Sequence, residues 1–195
     1  MKKVTTIFAS FMMLATIGFS QATQIPEFKN VPMLLKADGS LAKLEKQVAE
    51  VKSKTKGFSY GASVVTFVNI LGEKSPVVID PSEASFIVKL PDADTDPETA
   101  WNLTKVIPAK KSRELELAQS AAAIAGAFGA KGKSVKRDDV KLEYEKVEPG
   151  VYKFRPVTPL VSGTEYALQN TISGVASNTT VFLFGTSGTA PKKGK

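Results

Sequence analysis

The clearest pattern in the chain is an alternation of apolar and charged residues in its C-terminal third. Every second residue is apolar between residues 140 and 145, and the same period returns between residues 152 and 155. Successive side chains of a strand point to opposite faces, so this period predicts two strands that each have one apolar face. Pro149-Gly150 lies between them and favours a turn. We therefore predict an antiparallel hairpin over this stretch.

Further short runs rich in β-branched and aromatic residues follow one another along the chain, with Gly, Pro and Asp between them. Such runs are typical of strands, and the residues between them are typical of turns. The additional predicted strands are 31–36, 62–71, 76–79, 85–90, 101–107, 112–117, 165–169 and 180–184. Many short strands with frequent turns point to a sandwich or a barrel. We predict an Ig-like antiparallel β-sandwich of about eight or nine strands, to which residues 31–36 are an N-terminal addition.

Three stretches do not read simply as strands. Apolar residues of Leu41–Val51 recur at helical spacing, but the turn-forming residues 37–40 directly before them favour a hairpin arm. We favour extended structure there. Asp96 and Pro97 can begin one helical turn, with Asp96 as the N-cap and Pro97 in the first position. Residues 118–133 are small and apolar, which fits a short helix or a loop inserted between strands.

The N-terminus resembles a cleavable signal peptide. Lys2 and Lys3 precede an uncharged apolar run over residues 4–19, and Ser20-Gln21-Ala22 offers the small-x-small pattern cut by signal peptidase. We expect cleavage after Ala22 and export to the periplasm or the cell exterior. No Cys follows the run, so attachment of a lipid to an N-terminal Cys is not expected, and no later run is long enough to span a membrane. The predicted organisation is a signal peptide (1–22), an extended or hairpin segment (23–57), a β-sandwich domain (58–187) and a disordered basic tail (188–195).

The amino-acid composition excludes several kinds of catalytic and metal-binding site. The 195 residues include neither Cys nor His. Nucleophilic catalysis by Ser-His-Asp or Cys-His groups and zinc sites built from His and Cys are therefore excluded. The formal net charge is +7, but the basic residues are dispersed along the sequence, unlike the clustered basic face of a nucleic-acid site. We expect no cofactor and no nucleic-acid partner.

The stretch from Leu160 to Leu168 resembles the tyrosine corner of Ig-like and fibronectin type III domains. In that arrangement a Leu precedes a tight turn, and a Tyr near the start of a strand hydrogen-bonds back to the backbone. The resemblance implies structural roles for Leu160, Gly163 and Tyr166, and it implies that the last predicted strand takes the place of strand G.

The layout is also similar to that of small exported bacterial proteins of unknown function. The shared motifs are an early Asp-Gly turn followed by Leu44-Glu45-Lys46, then Gly72-Glu73-Lys74-Ser75, Lys110-Lys111-Ser112-Arg113 and Gly163-Thr164-Glu165-Tyr166-Ala167. Here the last motif has an extra Thr between Gly and Glu. No activity accompanies this resemblance, which implies a fold and a compartment only.

One acidic stretch is a candidate for calcium. Asp92, Asp94, Asp96 and Glu98 place carboxylates at alternate positions, and calcium prefers oxygen ligands. The EF-hand register fails because Pro97 stands where Gly is needed. A different calcium loop and a solvated acidic turn that caps the next element both remain open.

Three further motifs carry weaker hypotheses. Residues 127–134 fit a permissive phosphate-loop pattern, but the residues after them read as a strand rather than a helix. Ser40–Lys43 matches the S-x-x-K of penicillin-binding enzymes without their partner motifs. Glu143 and Glu145 lie on one strand face about 7 Å apart, which a carboxylate-based hydrolase could use only across a sugar-binding cleft.

These observations predict a non-catalytic binding or structural component of the cell envelope, with an envelope protein or a surface glycan as its partner. Two alternatives are a carboxylate-dependent envelope hydrolase and a protein that contacts a membrane or partner through Ala118–Lys133, where small residues allow close packing.

Overall fold

The computed structural model describes residues 24–56, 63–121, 138–171 and 178–190, and it is mainly β. Within these ranges the chain forms fourteen strands and one short helix. The elements are β1 (Met33–Leu35), β2 (Leu41–Lys43), β3 (Glu45–Lys56), β4 (Ser63–Leu71), β5 (Val78–Ile79), β6 (Phe86–Lys89), α1 (Pro97–Ala100), β7 (Trp101–Lys105), β8 (Ile107–Pro108), β9 (Ser112–Ala121), β10 (Asp139–Val140), β11 (Leu142–Glu148), β12 (Val151–Pro156), β13 (Glu165–Asn170) and β14 (Asn178–Thr186).

The strands form two sheets. The smaller has the order β11-β12-β6-β1-β2, and the larger has the order β10-β7-β13-β14-β3-β4-β9-β8 with the short β5 added beside β14. Apart from the parallel β5–β14 pair, the pairings between these strands are antiparallel. The prediction of a mainly β, antiparallel fold is therefore confirmed.

The larger sheet curls into a half-barrel. Along the chain, β7 and β8 are separated only by Val106, yet β7 pairs with β13 and β8 pairs with β9 at the far end of the sheet. The Val106 amide donates to the Glu165 carbonyl at 3.0 Å, at the point where the chain changes partner. The curl encloses a small apolar core on the concave face, formed by Ala49, Val68, Ile70, Val106, Leu115, Ala167, Val181 and Leu183.

A second core lies between the two sheets and is rich in aromatic rings. Phe86 of the smaller sheet packs against Phe184 of the larger one, with ring centroids 5.1 Å apart. Phe154 and Tyr166 extend this contact on either side, at 5.5 and 5.7 Å from Phe86 and Phe184 respectively. These four rings form one buried aromatic layer between the sheets.

Several local predictions are confirmed. The predicted hairpin forms as β11 and β12, with Tyr144 opposite Phe154. Its predicted start differs, because Val140 belongs to β10 and pairs with Leu103 of β7 in the larger sheet. Gly150 closes its turn with a φ of 77°, a conformation that Gly adopts without strain. Leu41–Val51 is extended, and the predicted helical spacing does not produce a helix there. Asp96 caps α1 by accepting from the Glu98 amide at 3.0 Å.

Other predictions differ from the structure or fall outside it. The strand count exceeds eight or nine, partly because the predicted strand 101–107 divides into β7 and β8. The predicted segment 23–57 supplies β1 and β2 to one sheet and β3 to the middle of the other. The signal peptide and the basic tail beyond residue 190 lie outside the described residues. No helix that the structure describes has the length and apolarity needed to cross a bilayer.

Candidate functional site

A buried ionic cluster lies at one end of the concave core. Arg113 stands on β9 opposite Ile70 of β4, so its side chain points to the same concave face. The Arg113 side chain has no solvent exposure. A buried charge is strongly unfavourable unless it is paired and hydrogen-bonded, so the surroundings of this guanidinium must supply partners.

All five N–H groups of the guanidinium have acceptors. Nε donates to the Gly72 carbonyl at 3.1 Å, and Nη2 donates to the Leu71 carbonyl at 3.0 Å. Nη2 also donates to Glu45 Oε1 at 2.9 Å. Nη1 donates to Glu45 Oε2 at 3.1 Å and to Glu165 Oε2 at 3.0 Å. The planar fork of arginine is thus fully used, and lysine could not reproduce this pattern.

The two carboxylates of this cluster are held from other directions as well. Glu165 accepts from the Ser75 amide at 2.8 Å, and Glu45 accepts from Gln47 Nε2 at 2.5 Å. Burial by itself raises the pKa of Glu45, but hydrogen bonds from Arg113, Ser75 and Gln47 outweigh it and hold that pKa below its ordinary value. Glu45 is therefore ionised at neutral pH.

The cluster joins the four sequence motifs that carried the resemblance to exported proteins. Glu45 comes from the first motif, Gly72 and Ser75 from the second, Arg113 from the third and Glu165 from the fourth. Sequence reasoning identified the motifs but did not predict that they meet. The available signal was a charged residue at or next to the start of each of three strands, β3, β9 and β13.

A groove lies where the chain crosses from the smaller sheet to the larger one. β2 is the edge strand of the smaller sheet, and Leu44 connects it directly to β3. The groove has a volume of about 610 Å³, within the range of sites for small molecules. Its walls come from residues 24–32 before β1 (called the leader below), from β1 to β3 and from β14. The lining residues are Pro26, Glu27, Phe28, Lys29, Val31, Pro32, Met33, Leu41, Lys43, Leu44, Lys46 and Phe182.

A second, more polar cavity of about 340 Å³ continues from this groove. The two share Lys29, Val31, Lys46 and Phe182, so they form one trough with an apolar and a polar half. The residues that line only the polar half are Asn30, Trp101, Asn170, Asn178, Thr179 and Thr180. We call the two cavities together the edge trough.

Lysine side chains stand along the edge trough. Lys46 Nζ lies 5.9 Å from the centre of the Phe182 ring, and the two residues face each other across the β3–β14 pair. Lys29 Nζ donates to the Pro91 carbonyl at 2.8 Å. Phe28 beside them is 64% exposed, which is unusual for a large aromatic side chain. The edge trough therefore offers apolar surface and positive charge together.

Comparison of the chain with protein-family models, curated proteins and solved structures finds no match.

The tyrosine-corner residues occupy one compact turn. The Val161 amide donates to the Tyr166 hydroxyl at 3.0 Å, and Leu160 is buried beside Tyr166 in the core between the sheets. Burial raises the pKa of the Tyr166 hydroxyl. Gly163 has a φ of 63°, and a Cβ there would collide with the backbone at Ala190. The backbone hydrogen bond has the form that a tyrosine corner requires, while the relationship to Ig-like domains stays a prediction.

The calcium candidates do not assemble into a site. Asp96 is used as the cap of α1, and the Asp92 carbonyl accepts from the Thr95 amide at 3.3 Å in a local turn. Among the residues that the structure describes, no three acidic side chains are grouped so as to hold a metal ion. The calcium hypothesis for Asp92, Asp94 and Asp96 gains no support from this part of the chain.

The weaker motifs are placed as follows. Glu143 forms an ion pair with Arg155, and Glu145 pairs with Lys153 at 3.6 Å, both on the exposed face of the hairpin. The Ser40 hydroxyl donates to Asp38 Oδ1 at 2.6 Å within the turn before β2. The phosphate-loop motif of residues 127–134 lies outside the described residues. Of residues 118–133, the structure describes only the backbone of the first four, as the end of β9.

Proposed function

We propose that this chain is an exported, non-catalytic binding protein of the cell envelope and that the edge trough is its binding site. The observation that carries the proposal is the pair of adjoining cavities that make up the trough, one more apolar and one more polar, which share four lining residues. Small-molecule sites are concave and mostly apolar, with a few polar groups that fix orientation, and this trough has that form.

The architecture and the compartment belong to the same proposal. Two antiparallel sheets that share one aromatic core support an Ig-like sandwich as the description of the fold. The basic and apolar start of the sequence supports export. Without Cys, the domain relies on apolar burial and on the Arg113 cluster rather than on disulfides.

A hydrolase based on carboxylates is less well supported by the contacts of the candidate groups. Glu45 and Glu165 face each other, but Arg113 fills the space between them and hydrogen-bonds to both. A glycosidase needs that space for the sugar and for a carboxyl group that can donate a proton. Glu143 and Glu145 are engaged in surface ion pairs on a strand face.

Binding of a neutral apolar dye tests the proposal. Nile red should bind to the purified mature domain with a saturable rise in fluorescence. Leu41→Glu would place a charge in the apolar half and should abolish most of this rise. Val147→Glu is the matched control, because Val147 lies on β11, the opposite edge strand of the same sheet, and it should bind like the wild type.

Phe28→Ser provides a second test that spares the core, because Phe28 is mostly exposed in the leader. It should weaken dye binding without changing the unfolding midpoint. The proposal is wrong if the wild type shows no saturable binding, or if Leu41→Glu and Phe28→Ser both bind the dye as the wild type does while remaining folded.

A further inference from the structure

We infer that the edge trough binds a single-chain amphiphile whose negative charge lies between an apolar chain and a polar head. The inference rests on the proposed function, because it names the ligand of the same site. Three properties of the trough carry it: an apolar half, positive charge at the junction and an amide- and hydroxyl-lined second half.

The apolar half suits an alkyl chain. Val31, Pro32, Met33, Leu41 and Leu44 line it, and Phe28 lies exposed beside them. Transfer of such exposed apolar surface from water to contact with an alkyl chain is favourable. A groove of about 610 Å³ limits the ligand to the size of a small molecule, such as one with a single alkyl chain.

Positive charge is concentrated where the two halves join. Lys29 and Lys46 belong to both cavities, and Lys43 stands on the apolar side. Glu27 is the acidic residue that also lines the trough, so the lining carries three cations and one anion. Charge complementarity therefore selects a ligand with a negative group near Lys46, at the boundary between its apolar and polar parts.

The polar half can receive a head group with hydroxyls. Asn178 and Thr180 bring an amide and a hydroxyl to this cavity from the start of β14. Asn30 lines it from the leader, with a left-handed backbone at φ 58°. The amides and hydroxyls of this half can exchange hydrogen bonds with the hydroxyls of a head group.

The single Trp of the chain is a reporter for this site. Trp101 lines the polar half and its ring lies 5.9 Å from that of Phe182, which borders both halves. A ligand seated in the trough should change the Trp101 emission without any added label. The experiment measures this change with four probes: dodecyl phosphate, dodecyl maltoside, dodecyltrimethylammonium and glycerol phosphate, all kept below micelle-forming concentrations.

We expect dodecyl phosphate to bind about tenfold more tightly than dodecyl maltoside at low salt, and dodecyltrimethylammonium to bind most weakly. Glycerol phosphate, which lacks the chain, should not bind measurably. Raising the ionic strength should reduce the advantage of the phosphate, because exposed charges are screened. Lys46→Gln should weaken dodecyl phosphate binding about three- to tenfold and leave dodecyl maltoside binding unchanged.

Lys146→Gln is the matched control. Lys146 is an exposed lysine on β11, at the opposite edge of the smaller sheet from Lys43. It should bind all probes as the wild type does. Lys43→Gln is a second variant in the trough. It should weaken dodecyl phosphate binding less than Lys46→Gln does, and it should leave binding of the other probes unchanged.

The outcomes separate this inference from the proposed function. If Nile red and dodecyl maltoside bind in the trough but dodecyl phosphate binds no more tightly, the charge assignment is overturned and the binding function stands. If no probe binds, including Nile red, both fail. Tighter binding of an acidic peptide made of Leu and Glu than of dodecyl phosphate would also overturn the inference, because the occupant would then be a polypeptide.

Discussion

Arg113 donates from Nη1 to Glu165 Oε2 over 3.0 Å, and the guanidinium has no contact with solvent. This pair joins β9 to β13 across the concave side of the curled sheet, and Glu45 adds β3 to the same cluster. The two neighbours of Glu45 in the sequence contact other parts of the protein. Leu44 lies in the core between the sheets, and Lys46 lines the edge trough. Loss of the cluster should therefore affect the position of the trough as well as stability.

Removal of the buried guanidinium should be strongly destabilising. Arg113→Met leaves two partly buried carboxylates without their cation, and breaking a buried ion pair in this way costs about 3–5 kcal/mol. Urea unfolding followed by circular dichroism measures the change. Arg155→Met is the control, because Arg155 is 65% exposed in its ion pair with Glu143 and should cost no more than about 1 kcal/mol. Equal losses for the two variants would contradict the role of the Arg113 cluster.

Stability should fall in mild acid because of Glu45. The pKa of Glu45 is lower in the folded protein than in the unfolded chain, so the unfolded state binds more protons as the pH falls. The contribution of Glu45 is fully present above its unfolded pKa and is lost as the pH falls through the lower folded value. The urea concentration at the unfolding midpoint should therefore decrease as the pH is lowered from about 6 to about 3.

The matched variant for the acid effect is Glu45→Gln, which keeps the shape of the side chain and removes its titration. Its midpoint should be lower than that of the wild type at pH 6, and the difference should narrow toward pH 3. A difference that stays constant over this range would show that titration of Glu45 does not contribute.

Gly185 should tolerate a methyl group only when Glu165 is removed. A Cβ on Gly185 would lie 2.6 Å from Glu165 Oε1, and that carboxylate cannot move freely because Arg113 and the Ser75 amide hold it. Gly185→Ala should cost about 1–3 kcal/mol by overpacking. In a Glu165→Ala background the same substitution should be close to neutral. A double-mutant cycle measures this coupling, and additive effects would rule out the steric explanation.

Loss of the Tyr166 hydroxyl should have a modest effect. Tyr166→Phe keeps the ring in the aromatic core but removes the acceptor of the Val161 amide, which should cost about 0.5–1.5 kcal/mol. Tyr152→Phe, on the hairpin, is the control and should change the unfolding midpoint less. If Tyr166→Phe does not change the unfolding midpoint, the hydroxyl adds nothing to stability and only the packing of the ring stabilises this turn.

The parts of the fold that follow from local pattern were predictable from the sequence. The hairpin was the clearest, because its alternation separates one apolar face from one charged face over both strands. Leu41–Val51 was ambiguous, since its apolar residues fit a helix as well. Pairing of β3 with both β14 and β4 decides the outcome. The β14 partners of these residues lie more than 100 positions away in the sequence.

Contacts between residues distant in sequence also explain two features that could not be predicted. One is the division of residues 101–108 into β7 and β8, and the other is the ionic cluster around Arg113. The chain changes partner at Val106 because the sheet curls, and the curl depends on all of its strands together. Glu45, Arg113 and Glu165 are far apart in sequence, and each reads alone as an ordinary surface charge. The edge trough also requires the leader, β2 and β14 to be placed together, so no single stretch indicates it.

Amide chemical shifts in a ¹H–¹⁵N spectrum test the binding role of the edge trough most directly. During titration with dodecyl phosphate, the largest shifts should fall on Val31, Leu41, Lys46 and Phe182, and they should saturate with one ligand per chain. The hairpin residues around Glu143 and Lys153 should not shift. Shifts that centre on the hairpin, or that rise without saturation across the whole protein, would contradict the assignment of the trough as the binding site.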